Sequence, residues 1–379
     1  MLRRIEINNY KMFKNFTLDF TEGVNLVCGQ NGSGKSSILE LMHSLVGFLA
    51  TPETSDHVNH SVIEAFPYET FCRWAVQPSG CGDMTIKIVL GEEDESFRYN
   101  LTVRYDFRNN QIRVHDESLV QMSNGEEKAL LSFSEGIISM ATDDNGDLSF
   151  NGDHNVSGLI TGARNNALVQ RFITMIAKVY NLHLDPAVTA QDFKTGTRTL
   201  GVKGERFASW HFSNFTNEAE KQVSITKQFK SFIPGLSSVN CPSSGDFYRW
   251  KVRVKYNDKF YDLELRELSD GQKILFVLYS LLANAPDGST LIIDEPENYL
   301  APGELQPWLD AVSDAWEERD IQFILITHNP KTINWYHKEA FVFGIEDEPP
   351  RIVAELNGNN TSETLFDRLS KMEWKSNGS

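Results

Sequence analysis

The chain has 379 residues, of which 40% are hydrophobic and 23% are charged, and these fractions indicate a folded globular protein rather than a disordered one. Its 36 basic and 52 acidic residues give a formal net charge of −16, which argues against a protein that coats nucleic acid by neutralising phosphates. No apolar run is long enough to span a bilayer and the first residues do not resemble a signal peptide, so we expect a cytoplasmic protein that does not enter a membrane.

The first 50 residues predict two short strands, a glycine-rich loop and a helix. The strands are Arg4 to Asn8 and Phe16 to Phe20, and a third apolar strand leads into residues 29–36. Those eight residues, GQNGSGKS, match the Walker A pattern G-x-x-x-x-G-K-[ST], in which backbone N–H groups and a helix N-terminus bind phosphate. Lys35 is expected to reach the β- and γ-phosphates of ATP, and Ser36 to bind Mg²⁺. The predicted phosphate-binding residues are Asn31, Gly32, Ser33, Gly34, Lys35, Ser36 and Ser37.

Two later segments alternate in polarity with the period of a half-buried strand. They are residues 98–108 and 249–255, and we expect them to belong to one antiparallel sheet. Each carries a stripe of basic side chains, which is either the solvated face of a sheet or a contact with nucleic acid. Gln77, between Trp74 and Pro78, is a candidate for a further ligand of Mg²⁺.

The segment between these two predicts polar loops and helices. Helical spacing covers residues 163–181 and continues over residues 222–232. A sustained heptad pattern is absent from the sequence, so we do not expect a coiled-coil arm.

A capped helix start is predicted at residues 268–272, with sequence LSDGQ. Ser269 is expected at the N-cap and Gln272 three residues later, and Gly271 leaves bare backbone at the start of an apolar helix. Such a start suits a γ-phosphate, but it is expected to be too far from the phosphates bound by its own chain. We therefore predict that Ser269, Gly271 and Gln272 bind ATP in trans, in a second protomer.

Two buried strands near the C-terminus end in polar side chains. The first, residues 289–293, precedes Asp294 and Glu295, and carboxyl ends of such strands form the ligand crevice of α/β sheets. Asp294 is expected to hold the Mg²⁺ shell and Glu295 to act as the general base for water. The second strand, residues 321–326, precedes His328, which we expect to sense the γ-phosphate.

These motifs and their order resemble the ABC-type ATPases of the RecF, SMC and OLD kind, and more narrowly the bacterial stand-alone, RecF-like ATPases labelled as AAA-type. The resemblance implies an α/β fold: a P-loop ABC-ATPase head with a mostly parallel core sheet, an antiparallel β lobe and a helical insertion. We expect residues 1–120 to form an N-terminal ATPase lobe, 121–245 the helical insertion or lid, and 246–379 a C-terminal ATPase lobe. The resemblance also implies a nucleotide contact by Lys11, near the α-phosphate or ribose.

Two functions follow from this resemblance. One is a switch that forms a homodimer around ATP, or a larger oligomer, and regulates a separately encoded effector such as a nuclease or toxin in anti-phage defence. The other is a DNA-bound ATPase in repair or chromosome maintenance. About 50 residues follow His328, which is too few for the nuclease module of OLD-type proteins, so the output is expected in another chain.

Overall fold

The computed structural model describes residues 1–29, 31–50, 58, 61–143, 146–162, 166–216, 218–336, 340–344 and 351–355. Their strands form a six-stranded core sheet, an eight-stranded antiparallel sheet and two three-stranded sheets. The core sheet positions the candidate site, and the other sheets flank it.

The core sheet is parallel except for its last strand. In spatial order its strands are β10 (Val179–Leu182), β17 (Thr290–Asp294), β18 (Gln322–Ile326), β3 (Val24–Gly29), β19 (Ala340–Gly344) and β20 (Arg351–Glu355), which runs antiparallel to β19. Every residue of β17 and β18 is buried, as their continuous apolar sequences predict for strands covered on both faces. The strands expected before Asp294 and His328 are therefore confirmed.

Helices cover both faces of this sheet, and the sheet separates two hydrophobic cores. On one face α1 (Lys35–Leu49) packs with Val27, Ile292 and Ile324, and on the other α7 (Asp270–Asn284) and α8 (Pro302–Arg319) pack with Leu291 and Ile293. Alternate residues of one strand thus enter different cores, as the pleat of a β-strand requires. The short helix α9 (Pro330–Trp335) follows β18.

The eight-stranded antiparallel sheet lies against α1 in the first of these cores. Three further helices pack in the same core: α2 (Val62–Ala65), α3 (Gly158–Gly162) and α4 (Ala167–Ile176). Phe172 of α4 stacks on Tyr99 with ring centroids 5.5 Å apart. In spatial order its strands are β2 (Phe16–Asp19), β1 (Leu2–Asn8), β4 (Cys81–Gly91), β5 (Glu95–Asp106), β6 (Gln111–Ser123), β7 (Glu126–Ser134), β8 (Ile137–Ala141) and β9 (Asp147–Asn151).

The basic segment 249–255 belongs to a different sheet, so the expectation of one shared antiparallel sheet is wrong. It lies mostly in β15 (Lys251–Tyr256), which pairs with β12 (Leu236–Asn240) and β16 (Lys259–Glu264). Alternating polarity reveals that one face of a strand is buried but not which strand lies beside it. Next to this sheet are α5 (Phe207–Phe215), α6 (Ala219–Phe229) and a small sheet of β11 (Asp192–Phe193), β14 (Phe247–Arg249) and β13 (Ser243–Ser244).

The expected domain boundaries also need correction. A boundary at residue 120 would cut β6, and the segment expected to be a helical insertion begins with β7, β8 and β9. The helix expected over residues 163–181 is α4, which ends at Ile176 and is followed by β10. The sequence from Glu363 also predicts a helix, but these residues lie outside those that the structure describes. Within the described ranges, every helix is too short or too polar to cross a membrane.

A candidate phosphate and metal site at the edge of the core sheet

Glycines fix the loop between β3 and α1. A Cβ atom on Gly29, whose φ is +133°, would lie 2.1 Å from the carbonyl oxygen of Phe343 on the neighbouring strand. Gly34 caps α1 with a φ of +96°, and a Cβ there would lie 3.0 Å from both Met12 and Phe13. The loop can therefore follow this path only with glycine at both positions. The path brings the N-terminus of α1, where backbone N–H groups can bind an anion, to the carboxyl end of β3.

The remaining residues of this loop differ in exposure. Asn31, Gly32 and Ser36 are exposed, whereas Ser33 is buried and the backbone N–H of Ser37 donates to Gly34 at 3.0 Å. Gln30 lies outside the described residues.

Lys35 begins α1 and is almost completely buried. Its Nζ donates to the carbonyl oxygen of Gly29 at 3.1 Å. Burial lowers the pKa of Lys35, and the nearby carboxylate of Asp294 opposes that shift. The ammonium group therefore lies in a partly desolvated position, where its interaction with an anion is stronger than in water.

Asp294 ends β17 and contacts two side chains. It is 5% exposed, accepts a hydrogen bond from the Ser36 hydroxyl, and has Oδ2 3.3 Å from Nδ1 of His183. Burial is the largest cause that raises the pKa of Asp294, while Ser36 and His183 oppose the shift. The structure thus brings together Ser36 and Asp294, two of the three predicted Mg²⁺ ligands.

His183 is a site residue that the sequence did not reveal. It follows the last residue of β10, which is parallel to β17, so both strands deliver a polar side chain to the same edge. The run Val179–Leu182, which includes a β-branched and an aromatic residue, is a weak strand signal that could have pointed to it.

Gln77 lies elsewhere, in the exposed turn before β4. Its backbone N–H donates to the carbonyl of Cys81, and its own carbonyl accepts from Gly80. Within the described ranges, none of its contacts is with Ser36 or Asp294. Its role as a metal ligand stays a prediction without structural support.

Glu295 and His328 meet because β17 and β18 are parallel neighbours. Nε2 of His328 lies 3.7 Å from Oε1 of Glu295, whose backbone N–H donates to the carbonyl of Ile326 at 2.8 Å. The φ of Glu295 is +48°, a backbone conformation that residues other than glycine rarely adopt. Residues in such conformations cluster at functional sites. Its other oxygen, Oε2, accepts from Nδ2 of Asn298 at 2.6 Å, so this hydrogen bond orients the carboxylate while Oε1 faces His328.

Glu297 is a second residue that the sequence analysis did not single out. It is buried, and the hydroxyl of Thr327 donates to its Oε1. The same hydroxyl oxygen accepts from the backbone N–H of Asn329 at 2.9 Å. Burial raises the pKa of Glu297 to about 7, and the carboxylates of Glu295 and Asp294 act in the same direction. Glu297 thus ties the loop that carries His328 to the loop that carries Glu295.

Burial lowers the pKa of His328 itself. Lys35 adds to that shift, whereas Glu295 and Asp294 oppose it. The imidazole is therefore favoured in its neutral form, which can either donate or accept a hydrogen bond.

The capped start of α7 has the expected local geometry. Ser269 Oγ accepts from the N–H of Gln272 at 3.2 Å, and Gln272 Oε1 accepts from the N–H of Ser269 at 3.0 Å. A Cβ on Gly271 would lie 2.6 Å from the carbonyl oxygen of Tyr299. This helix start therefore packs against the segment after β17, and its contact with a nucleotide stays a prediction.

Lys11 lies in a loop beside the glycine loop. It has a φ of +49°, its N–H donates to the carbonyl of Thr70 at 2.6 Å, and its ammonium pairs with Glu40 of α1. Burial lowers the pKa of Lys11. The loop also supplies Met12 and Phe13, which pack against Gly34. Its nucleotide contact stays a prediction.

The protein donors at this edge fit Mg²⁺ bound together with phosphates. Ser36 and Asp294 supply a hydroxyl and a carboxylate, the hard oxygen ligands that Mg²⁺ takes in phosphate-binding sites. The described residues contain no group of three or more His, Cys, Asp or Glu side chains that would hold a metal alone. A cation here would therefore rely on ligands from a bound phosphate or water.

A family model matches most of the chain, and curated proteins match short segments of it. The family described as "AAA domain, putative AbiEii toxin, Type IV TA system" matches residues 24–334. Identity to the DNA replication and repair protein RecF of Pseudoalteromonas atlantica is 41% over 71 residues, 19% of each chain. Identity to an ATP/GTP phosphatase of Helicobacter pylori is 40% over 55 residues, covering 14% of this chain and 15% of that one.

A third relative is the DNA double-strand break repair Rad50 ATPase of Archaeoglobus fulgidus. Identity to it is 42% over 48 residues, or 13% of this chain and 5% of that one. The chain therefore spans less than a fifth of the length of these curated relatives.

Solved structures show the same fold along nearly the whole chain. An SMC head bound to the C-terminal winged-helix domain of ScpA has a TM-score of 0.52 at 15% identity, covering 93% of this chain and 97% of that one. An SMC head with an extended coiled coil, bound to the C-terminal domain of ScpA from Pyrococcus furiosus, has a TM-score of 0.50 at 13% identity, covering 93% and 95%. The α/β head fold expected from the sequence is thereby confirmed. The resemblance to ABC-type, RecF- and SMC-like ATPases that the sequence predicts is thereby confirmed. Since the family model matches residues 24–334, more than half of the chain, the chain belongs to the family described as "AAA domain, putative AbiEii toxin, Type IV TA system".

Proposed function

We propose that the chain binds ATP with Mg²⁺ at the carboxyl edge of the core sheet and hydrolyses it. The observation that carries this proposal is the convergence there of Lys35, Ser36, Asp294, Glu295 and His328. Lys35 would exchange its bond to the Gly29 carbonyl for the β- and γ-phosphates, while N–H groups of residues 31–37 bind the phosphate oxygens.

In this proposal Glu295 orients the attacking water. Asn298 donates to one oxygen of its carboxylate, and the other oxygen faces His328. A water between Glu295 and a γ-phosphate would therefore donate its proton to a carboxylate oxygen whose position is fixed. His328 in its neutral form would donate a hydrogen bond to the γ-phosphate. Mg²⁺, held by Ser36 and Asp294, would neutralise charge on the β- and γ-phosphates.

A second copy of the chain would complete the site. The start of α7, at Ser269, Gly271 and Gln272, is the positive end of a helix dipole, which suits a phosphate, and the capping box between Ser269 and Gln272 fixes its shape. In its own chain this helix start contacts Tyr299. We therefore assign it to the nucleotide of the partner subunit, so that ATP joins two protomers and hydrolysis releases them.

The test is to block hydrolysis and measure assembly. Glu295→Gln keeps the shape of the side chain and removes its basic oxygen, so this protein should accumulate as an ATP-bound dimer or larger oligomer in size-exclusion chromatography with light scattering. Ser269→Arg in the same background places a bulky cation at the helix start and should return the protein to monomers. A Glu295→Gln protein that binds ATP yet remains monomeric would contradict the shared site.

Regulation of a separately encoded effector, such as a nuclease or toxin in anti-phage defence, is the output that we propose. The family description, with its AbiEii toxin and type IV toxin–antitoxin system, supports a role of this kind. Co-expression with the neighbouring genes should yield a protein that co-purifies with the chain in an ATP-dependent manner, and Lys35→Ala should change both that complex and phage plating efficiency. Unchanged plating with no partner recovered would count against it.

A DNA-bound ATPase in repair is the second candidate, favoured by the similarity to RecF and Rad50. If the basic stripe of residues 249–255 binds DNA, double-stranded DNA should stimulate ATP hydrolysis, and the triple change Arg249→Glu, Lys251→Glu and Arg253→Glu should remove that stimulation. A rate that does not respond to DNA would favour the first function.

A further inference from the structure

The edge of the core sheet holds an imidazole where the oxygen ligands of Mg²⁺ converge. His183 is about half exposed, and its backbone N–H donates to the carbonyl of Val202 at 2.8 Å, which fixes the chain immediately after β10. Its Nδ1 faces Asp294 Oδ2 at 3.3 Å. Asp294 is buried and also bonded to Ser36, so the three side chains share one small volume.

The separation of these two atoms suits ligands of one cation. Two donors that each lie about 2.1 Å from an octahedral ion, at a right angle, are about 3 Å apart. The 3.3 Å between Nδ1 and Oδ2 is close to that spacing. In addition, Nδ1 is the ring nitrogen that faces the carboxylate, so it can bind an ion at Asp294 without turning the ring over.

We propose that His183 donates Nδ1 directly to the divalent cation of this site and so makes the site selective for cations that accept nitrogen ligands. This inference rests on the proposed binding of ATP with a metal ion. Mg²⁺ binds oxygen ligands and gains little from an imidazole, whereas Mn²⁺ and Co²⁺ bind imidazole nitrogen progressively better. The wild-type protein should therefore prefer Mn²⁺ and Co²⁺ over Mg²⁺ more strongly than the His183→Gln variant does.

A purely positioning role for His183 is the alternative. In that case Nδ1–H donates to Asp294 and orients the carboxylate, as histidines and carboxylates outside a metal's own ligands commonly do. The two roles differ in a measurable way, because only a ligating imidazole places its nitrogen within bonding distance of the ion.

The experiment is electron spin echo spectroscopy of Mn²⁺ bound to the full chain with the non-hydrolysable analogue AMP-PNP. The wild-type protein should show ¹⁴N coupling from a coordinated imidazole, and this coupling should change to that of ¹⁵N when the histidines carry that isotope. His183→Gln should abolish the coupling while retaining bound Mn²⁺. The matched control is His328→Gln, which alters the other histidine of the site and should leave the coupling intact.

Affinities give a second readout on the same proteins. His183→Gln should weaken Co²⁺ binding in the presence of AMP-PNP by at least the roughly 10- to 100-fold that is typical for loss of a residue outside the metal's own ligands, and Mg²⁺ binding by much less. Bound Mn²⁺ without ¹⁴N coupling in the wild-type protein, or equal losses for Co²⁺ and Mg²⁺, would overturn the inference. Absence of AMP-PNP binding would instead overturn the proposed function, so the two failures are distinguishable.

Discussion

The carboxyl edge of the core sheet and the basic stripe of residues 249–255 both concentrate charged side chains, but the cations in the two regions have different partners. On the stripe, Arg253 forms two hydrogen bonds with Asp262, at 2.7 and 2.9 Å, and Arg249 pairs with both Asp192 and Glu264. At the core sheet, Lys35 is buried against a backbone carbonyl close to several carboxylates.

The arginines of the stripe are paired with carboxylates on the same surface, whereas the ammonium group of Lys35 donates to a backbone carbonyl, a bond that it could exchange for a phosphate. A guanidinium that already bonds a neighbouring carboxylate through two of its N–H groups has its charge partly neutralised, so it attracts a phosphate less strongly. The basic residues 98 and 104 of β5 are paired in the same way, with Glu127 and Asp83. Basic residues that look alike in the sequence therefore differ in their availability, and the solvated-face interpretation of the stripes is the one that these ion pairs support.

The largest effect is expected from removing the ammonium group of the site. Lys35→Ala should lower the rate of ATP hydrolysis by on the order of 10²- to 10³-fold, the cost typical of losing one fixed donor to a charged transition state. Steady-state phosphate release would measure it, with circular dichroism to verify folding. A folded Lys35→Ala protein that retains more than about a tenth of the wild-type rate would show that the edge of the core sheet is not the site.

An intermediate effect is expected from Glu297, as a dependence of stability on pH. Its pKa is about 7 in the folded protein and 4.5 ordinarily, so between these values the folded protein binds a proton that the unfolded chain has lost. Stability should therefore fall as the pH rises through this window, by on the order of 3 kcal/mol, and level off above it.

Urea unfolding at several pH values would measure this slope. Glu297→Gln retains an acceptor for the Thr327 hydroxyl and removes the titrating group, so it should abolish that part of the pH dependence. An unchanged slope in the glutamine variant would assign the dependence to other groups.

The smallest effect is expected on the stripe. Arg253→Ala removes an exposed ion pair, and such pairs contribute little to stability because water and salt screen them. Its rate of ATP hydrolysis should equal that of the wild-type protein, and thermal unfolding should shift only slightly. A loss comparable to that of Lys35→Ala would erase the distinction between the two regions.

The sequence predicted those parts of the site that are local in the chain. The glycine loop, the capping box at Ser269 and the carboxylates after β17 each combine a motif with the element that presents it, so one short segment contains the whole signal. The buried strands β17 and β18 were equally visible, because strands covered on both faces are continuously apolar.

His183 and the sheet of β15 were missed for two different physical reasons. Val179 continues the helical spacing of Phe172 and Ile176, so α4 seemed to extend across the two-residue connection into β10. The partner of β15 depends on contacts between distant segments, which alternation along one strand does not encode. Glu297 was overlooked because its role depends on Thr327, 30 residues away in the sequence.

The close approach of Gly271 to the carbonyl of Tyr299 has a consequence for timing. Within one chain, the start of α7 approaches the backbone of the loop after Asp294 so closely that a side chain at residue 271 would not fit between them. In the proposed dimer these two segments serve different nucleotides. Movement of the loop when one ATP is cleaved would therefore shift the helix that binds the other ATP, so the two nucleotides of a pair should be hydrolysed in a coupled order rather than independently.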